Sequence, residues 1–262
     1  MQDSSIPTEV EATLAVVAGD PEGIFESIAA WPAIAGHTLS AATVLILHDR
    51  YFDTESGALA GARFALRIRE TEGARLLALK GKSRRLDGGG ITRLELEGPC
   101  SAETLAAIHR TLARHGVHLP APAAPAVDGD VDAALRRMGL DVIQDRQTRR
   151  LLRRLHGGGG EAPLGELVLD RVDYRVGGRR LRHWEIEIES RSPALDLAAC
   201  IHVLREHDPR ALRPWDYSKV ATGRALQKLC GSAPDPTWFA APDRLSPAGY
   251  EALETILGGT LD

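Results

Sequence analysis

Three glutamates alternate with apolar residues in Trp184-Glu185-Ile186-Glu187-Ile188-Glu189. Successive side chains of an extended strand point to opposite faces, so the carboxylates share one face and Trp184, Ile186 and Ile188 the other. Carboxylates so close repel one another unless they face water, meet cations or hold a metal. A second acidic alternation, Glu9-Val10-Glu11-Ala12-Thr13, lies near the N-terminus, and Asp170 falls in the strand-like stretch Glu166 to Val176. Other segments carry the opposite sign. Arg67 and Arg69 alternate with Leu66 and Ile68, Lys80 and Lys82 share a face, and Arg93 precedes Glu95 and Glu97 at the same spacing. Arg146 to Leu155 is rich in arginine, with Arg149 expected to face the acids, and Lys219 follows Ser218. Facing rows of acids and bases suit a polyanion gripped by Arg and Lys and bridged to carboxylates by divalent cations. Oxygen ligands of this kind favour Mg2+ or Mn2+.

The elements that must position these groups are mostly strands. Thr8–Val16, Ala42–Leu47 continuing through Arg50–Thr54, Phe64–Glu70, Arg75–Lys82, Thr92–Glu97, Arg146–Leu155, Glu166–Val176 and Trp184–Glu189 read as strands by their alternation. Helices are expected at Pro21–Ala30, Ser101–His115, Val131–Met138, Ser192–Glu206 and Ser218–Leu226. About eight strands in two meanders, each charged on one face, predict an α+β fold: a closed eight-stranded antiparallel β-barrel with helices packed outside. Residues 1–230 form the expected domain. Residues 231–262, with Pro234, Pro236, Pro242 and Pro247, read as a proline-rich tail with one short helix near its end.

Composition excludes several classes of partner. The chain has 262 residues, 44% hydrophobic, a net charge of −4 and a pI near 6.2, so no overall basic field argues for nucleic acid or an anionic membrane. Cys100, Cys200 and Cys230 are odd in number and widely spaced, which indicates neither a disulfide framework nor a zinc site. Without a signal-like or membrane-spanning stretch, a cytoplasmic location is expected.

The ordered set Glu9-x-Glu11, Tyr51-Phe52-Asp53-Thr54, Leu66-Arg67-Ile68-Arg69, Leu79-Lys80-Gly81, Arg93-x-Glu95-x-Glu97, Glu166-x-x-x-Asp170, Glu185-x-Glu187-x-Glu189 and Ser218-Lys219 resembles the CYTH family, the triphosphate tunnel metalloenzymes. The flanking sequence looks most similar to bacterial members that hydrolyse inorganic triphosphate. The resemblance implies Glu9, Glu11 and Glu189 as metal ligands, with Mg2+ or Mn2+ as cofactor. It implies Glu187 and Asp170 as catalytic groups, and Arg67, Arg69, Lys80, Arg93, Arg149 and Lys219 as phosphate-binding groups. Glu95 and Glu97 are expected to hold those bases, whereas His48 and His183 read as ordinary polar residues and Tyr51 and Trp184 as packing. The expected partner is inorganic triphosphate or another small triphosphate, with homodimerisation left open. The same residues also fit an adenylate cyclase, a thiamine or nucleoside triphosphatase, or a module that binds polyphosphate without turning it over. The family motif Glu-x-Glu-x-Lys is broken here by Thr13, so one phosphate-neutralising cation is expected to be missing.

Overall fold

A computed structural model describes residues 8–85, 91–122, 131–158, 162–231 and 234–259. In chain order its first elements are β1 (Thr8–Val16), α1 (Pro21–Ala29), β2 (Ala33–Ile34), β3 (His37–Leu39), β4 (Thr43–Asp53), α2 (Ala58–Gly61), β5 (Ala65–Thr71), β6 (Ala74–Arg85), β7 (Ile91–Pro99), α3 (Ala102–Arg114) and α4 (Val131–Arg137). There follow β8 (Asp141–His156), β9 (Gly165–Val176), β10 (Arg179–Ser190), α5 (Leu197–His207), β11 (Leu212–Pro214), α6 (Lys219–Leu229), β12 (Phe239–Ala241), β13 (Arg244–Leu245) and α7 (Pro247–Gly258).

The fold is α+β with a large, almost wholly antiparallel sheet, as the alternations require. The strand count differs from expectation. The sheet has thirteen strands, and its path begins on β11 and ends on β12, so it is not a plain closed eight-stranded barrel. The additional strands β2, β3, β11, β12 and β13 have two or three residues each, too few to show a period of two in the sequence.

Two compact units divide the chain. The first comprises Met1–Glu9, Leu47–Arg84 and Thr92–Asp145. Here β4, β5, β6 and β7 are successive neighbours, and Leu66, Ile68, Leu77 and Leu79 bury their apolar face against Leu105, Ile108 and Leu112 of α3 and Leu135 of α4. The spacing of those three α3 residues puts them on one helical face, and the Ser101 hydroxyl accepts from the Thr104 N–H to cap the first turn.

The second unit comprises Val10–Ile46, Arg85–Ile91 and Arg146–Asp262. Its centre is the antiparallel run β1-β10-β9-β8. Leu14, Ile186, Ile188, Leu167 and Leu169 form the outward apolar face, covered by Ile28 of α1 and by Cys200 and Leu204 of α5. On the opposite face the strands change character along their length. Past Asp170 the same side of β9 carries Val172, Tyr174 and Val176, and past His183 the same side of β10 carries Leu181. Leu226 of α6 and Tyr250, Leu253 and Leu257 of α7 pack on this apolar end. The expected tail helix is therefore present, but it belongs to a core and does not trail as a linker. Gly249 explains how tightly α7 begins, since a Cβ there would lie 2.1 Å from the Trp238 carbonyl oxygen. Among the described residues, no helix is long and apolar enough to cross a membrane.

Candidate active site

Strand register in the second unit brings the acids together. Glu11 lies opposite Glu189 and Thr13 opposite Glu187 across β1 and β10. Glu185 then faces Asp170 and Glu189 faces Glu166 across β10 and β9, and Asp170 lies opposite Arg150 of β8. One face of three neighbouring strands, β1, β10 and β9, thus carries Glu11, Glu166, Asp170, Glu185, Glu187 and Glu189. Each arrives there because an odd or even run of residues cannot change face within a regular strand.

Two cations answer this row. Arg150 grips Asp170 with two parallel hydrogen bonds, Nε to Oδ1 at 2.9 Å and Nη2 to Oδ2 at 2.7 Å. It also reaches Glu187 Oε2 at 3.1 Å and Glu189 Oε1 at 3.5 Å. The second cation comes from the first residue of α6, where the Ser218 hydroxyl caps the helix by accepting from the Ala221 N–H. Lys219 Nζ lies 2.5 Å from Glu185 Oε2 and 3.2 Å from Asp170 Oδ2, and it donates to Glu187 Oε1. Glu166 pairs with Arg191 at 2.9 Å, and Arg191 also comes to 4.0 Å from Glu189 Oε2.

Asp170 and Glu185 are 0% and 1% exposed, and the charge of Glu185 persists only because of its partners. Burial alone would raise Glu185, but Lys219 and the hydrogen bond from His183 outweigh it and hold the carboxyl down at about 2. Glu187 is lowered as well, against burial, by Lys219 and Arg150. Burial would lower Lys219, yet Glu185, Glu187 and Asp170 push it well above the ordinary lysine value. Glu185, Glu187 and Lys219 are ionised at neutral pH.

Among the described residues of this face, Glu11, Glu166, Asp170, Glu185, Glu187 and Glu189 stand with Arg150, Lys219 and Arg191. Glu11, Glu187 and Glu189 each offer one oxygen within 4.8 Å of the others, a spacing at which one hard cation can touch all three. Three carboxylates within reach of one ion fit a divalent cation that prefers oxygen, such as Mg2+ or Mn2+.

The expected site residues separate into two groups. Glu11, Asp170, Glu187, Glu189 and Lys219 meet in the second unit. Arg67, Arg69 and Lys80 lie in the first unit, in a cluster of their own. There Arg69 grips buried Asp49 at 2.7 and 2.8 Å, Arg67 reaches Glu97 at 3.3 Å, and Lys80 pairs with Glu95 at 3.1 Å. Glu95 and Glu97 hold bases as expected. The side chains of Glu9 and Arg93, and that of Lys82, lie outside the described residues.

Arg149 requires correction: it is exposed, on the face of β8 turned away from the acids, and Arg150 is the inward arginine. In a run of arginines, composition does not reveal which parity faces in; pairing Asp170 with its register partner does. His183 requires correction too. It is 1% exposed and bonded through Nε2 to Glu185 Oε1 at 2.9 Å, not an ordinary surface histidine. Asp49 and Glu185, both buried and ion-paired, also escaped the sequence reading as site residues.

Comparison with known proteins agrees with this architecture. The family model described as "CYTH domain" matches residues 21–212. Among solved structures the chain is similar to HpAC1 from Hippeastrum, an assigned adenylyl cyclase described as revealing a dominant triphosphatase activity. Identity is 19%, coverage is 84% of this chain and 96% of that one, and the TM-score is 0.54. The PH1819 protein of Pyrococcus horikoshii is 20% identical over 83% of this chain and 99% of its own, at a TM-score of 0.45. No curated protein matches the chain.

Proposed function

The chain belongs to the CYTH domain family, and from that premise we propose that the acidic face of its second unit is the active site of a divalent-metal-dependent triphosphatase with inorganic triphosphate as its preferred substrate. The observation that carries this reading is the convergence of Glu11, Glu187 and Glu189 beside Arg150 and Lys219. Glu11, Glu187 and Glu189 would hold Mg2+ or Mn2+, and the bound ion would neutralise phosphate oxygens and lower the pKa of water. The dominant triphosphatase activity named for HpAC1 favours hydrolysis over cyclisation.

The chain's own residues have definite tasks. Lys219 and Arg150 place positive charge beside the carboxylates, where the oxygens of a phosphoryl group would otherwise be repelled, and Arg150 offers the fork geometry that suits phosphate. Asp170 holds Arg150 in that orientation through two hydrogen bonds, a positioning role in place of the catalytic one expected from the sequence. Glu187, ionised and bonded to both cations, is placed to orient water. Such positioning and charge neutralisation supply most of the catalysis in phosphoryl transfer, with no covalent nucleophile. Arg67, Arg69 and Lys80 remain candidates for phosphate contacts within their own unit. Tyr51 and Trp184 are buried among packing residues, so neither offers a free aromatic face to a base. That favours inorganic triphosphate over ATP.

The test is phosphate release from inorganic triphosphate and from ATP, with Mg2+ or Mn2+ and with chelator, beside an assay for cyclic AMP. Metal-dependent release that is faster with inorganic triphosphate is expected, and Glu189→Gln should abolish it. Cyclic AMP as the main product, or tight binding with no product under either metal, would overturn the reading.

A further inference from the structure

The C-terminal helix touches the acid cluster through one buried chain of hydrogen bonds. Tyr250 of α7 is 2% exposed, and its hydroxyl lies 3.1 Å from His183 Nδ1. His183 Nε2 lies 2.9 Å from Glu185 Oε1, and the other oxygen of Glu185 meets Lys219 at 2.5 Å. Nε2 thus faces the carboxylate and Nδ1 the tyrosine hydroxyl, so the ring bridges the two groups. Burial and the nearby charge of Glu185 push the tyrosine ionisation up, which keeps Tyr250 a donor at neutral pH.

We infer that Tyr250 is a positioning residue for the active site: through His183 it fixes the rotamer of Glu185, and Glu185 fixes the ammonium of Lys219. This makes α7 a working part of the site, although its residues lie far along the chain from every acid. The geometry supports the direction of the effect. His183 packs against Trp215 and Tyr250, with ring centroids 5.2 and 5.7 Å away, and the hydroxyl and the carboxylate hold its two ring nitrogens. The helix itself cannot slide, since the Ser246 N–H donates to the Trp238 carbonyl at 2.8 Å and Ser246 Oγ accepts from the Gly249 N–H at 3.1 Å. Lys219 gains a fixed partner in Glu185, which the relay holds independently of whatever occupies Glu187.

The inference rests on the proposed triphosphatase reading for its kinetic arm alone. Tyr250→Phe deletes one hydroxyl and keeps the ring. Histidine-ring 15N spectra of the full chain should show the Nδ1 resonance of His183 shifted in Tyr250→Phe. With inorganic triphosphate and Mg2+, Tyr250→Phe should lower kcat by about three- to tenfold, the loss of one ordinary hydrogen bond, with KM unchanged. In a His183→Gln background the same change should alter kcat by less than about twofold, because the chain is already cut. An unchanged His183 resonance in Tyr250→Phe overturns the relay. A shifted resonance with unaltered kcat overturns the positioning role. If the parent protein releases no phosphate, the triphosphatase reading fails by itself, and the relay then stands or falls on the 15N spectra.

Discussion

Replacing Lys219 by Met tests how the buried acids are kept ionised. The side chain is nearly isosteric, so packing of α6 is retained while Glu185, Glu187 and Asp170 lose an ammonium that lies within hydrogen-bonding distance of each. Breaking a buried ion pair from one side typically costs about 3–5 kcal/mol, because the remaining charge stays desolvated. Glu185 gives a second route to the magnitude. Its fall from 4.5 to about 2 corresponds to about 3 kcal/mol of native-state stabilisation at neutral pH. Because the folded value is the depressed one, that contribution is present above 4.5 and is lost as pH falls towards 2. The two routes agree, and at about 2–4 °C per kcal/mol they place the melting temperature of Lys219→Met roughly 6–20 °C below the parent at pH 7. The gap should narrow on acidification, since the variant relieves its unpaired carboxyls by protonation while the parent loses the benefit of its pair. Differential scanning calorimetry at pH 7 and pH 4 measures both. Equal stability at pH 7, or a gap that widens at pH 4, would show that Lys219 is not what keeps these carboxylates charged.

Arg150→Ala should reduce phosphate release at least about a hundredfold and destabilise the chain by about 3 kcal/mol, whereas Arg149→Ala, on the exposed face, should change either by little; steady-state rates and thermal melts decide. Glu187→Gln and Glu189→Gln should each weaken Mn2+ binding by about tenfold or more in calorimetry, and Mn2+ should raise the melting temperature of the parent more than that of either variant. Thr13→Lys places an ammonium opposite Glu187, where the family motif has its lysine, and should raise turnover by about tenfold; an unchanged or lowered kcat would refute this. Gly249→Ala should destabilise the chain by about 2 kcal/mol or more, since the new methyl collides with a backbone carbonyl that cannot swing aside; a melt within about 2 °C of the parent would contradict that geometry.

Legibility in the sequence followed the physics of alternation. Glu11, Glu187 and Glu189 were readable because a period of two survives any packing, and Lys219 because the Ser218 cap announces where α6 begins. The register between strands was not readable, and register is what selects Arg150 over Arg149. Nor were the short strands, whose two or three residues hydrogen-bond without any periodic signature. The proline-rich stretch before α7 suggested a linker because prolines break regular structure. Yet Tyr250, Leu253 and Leu257 recur at helical spacing, and that apolar stripe was the available sign that the helix packs against something. The relay from Tyr250 to Glu185 had no sequence signal, since its members are joined only by tertiary packing.

The placement of Lys219 follows from the change of character along β9 and β10. A strand face that was charged from end to end could not be covered by α6 and α7, because each buried carboxylate would then need a cation of its own. A face that was apolar from end to end would leave no site. The chain changes over between Asp170 and Val172 on β9 and between Glu185 and Leu181 on β10, with His183 at the junction. The apolar part draws the two helices on, and the N-terminus of α6 stops where the carboxylates begin. Its first residue then has acids within reach and core behind it, which is why an ammonium there remains charged despite burial. The far end of the same face holds Glu11, Glu187 and Glu189, whose oxygens lie within 4.8 Å of one another. Hydrophobic packing at one end of the sheet thus fixes the position of the cation and, with it, which carboxylates it can reach.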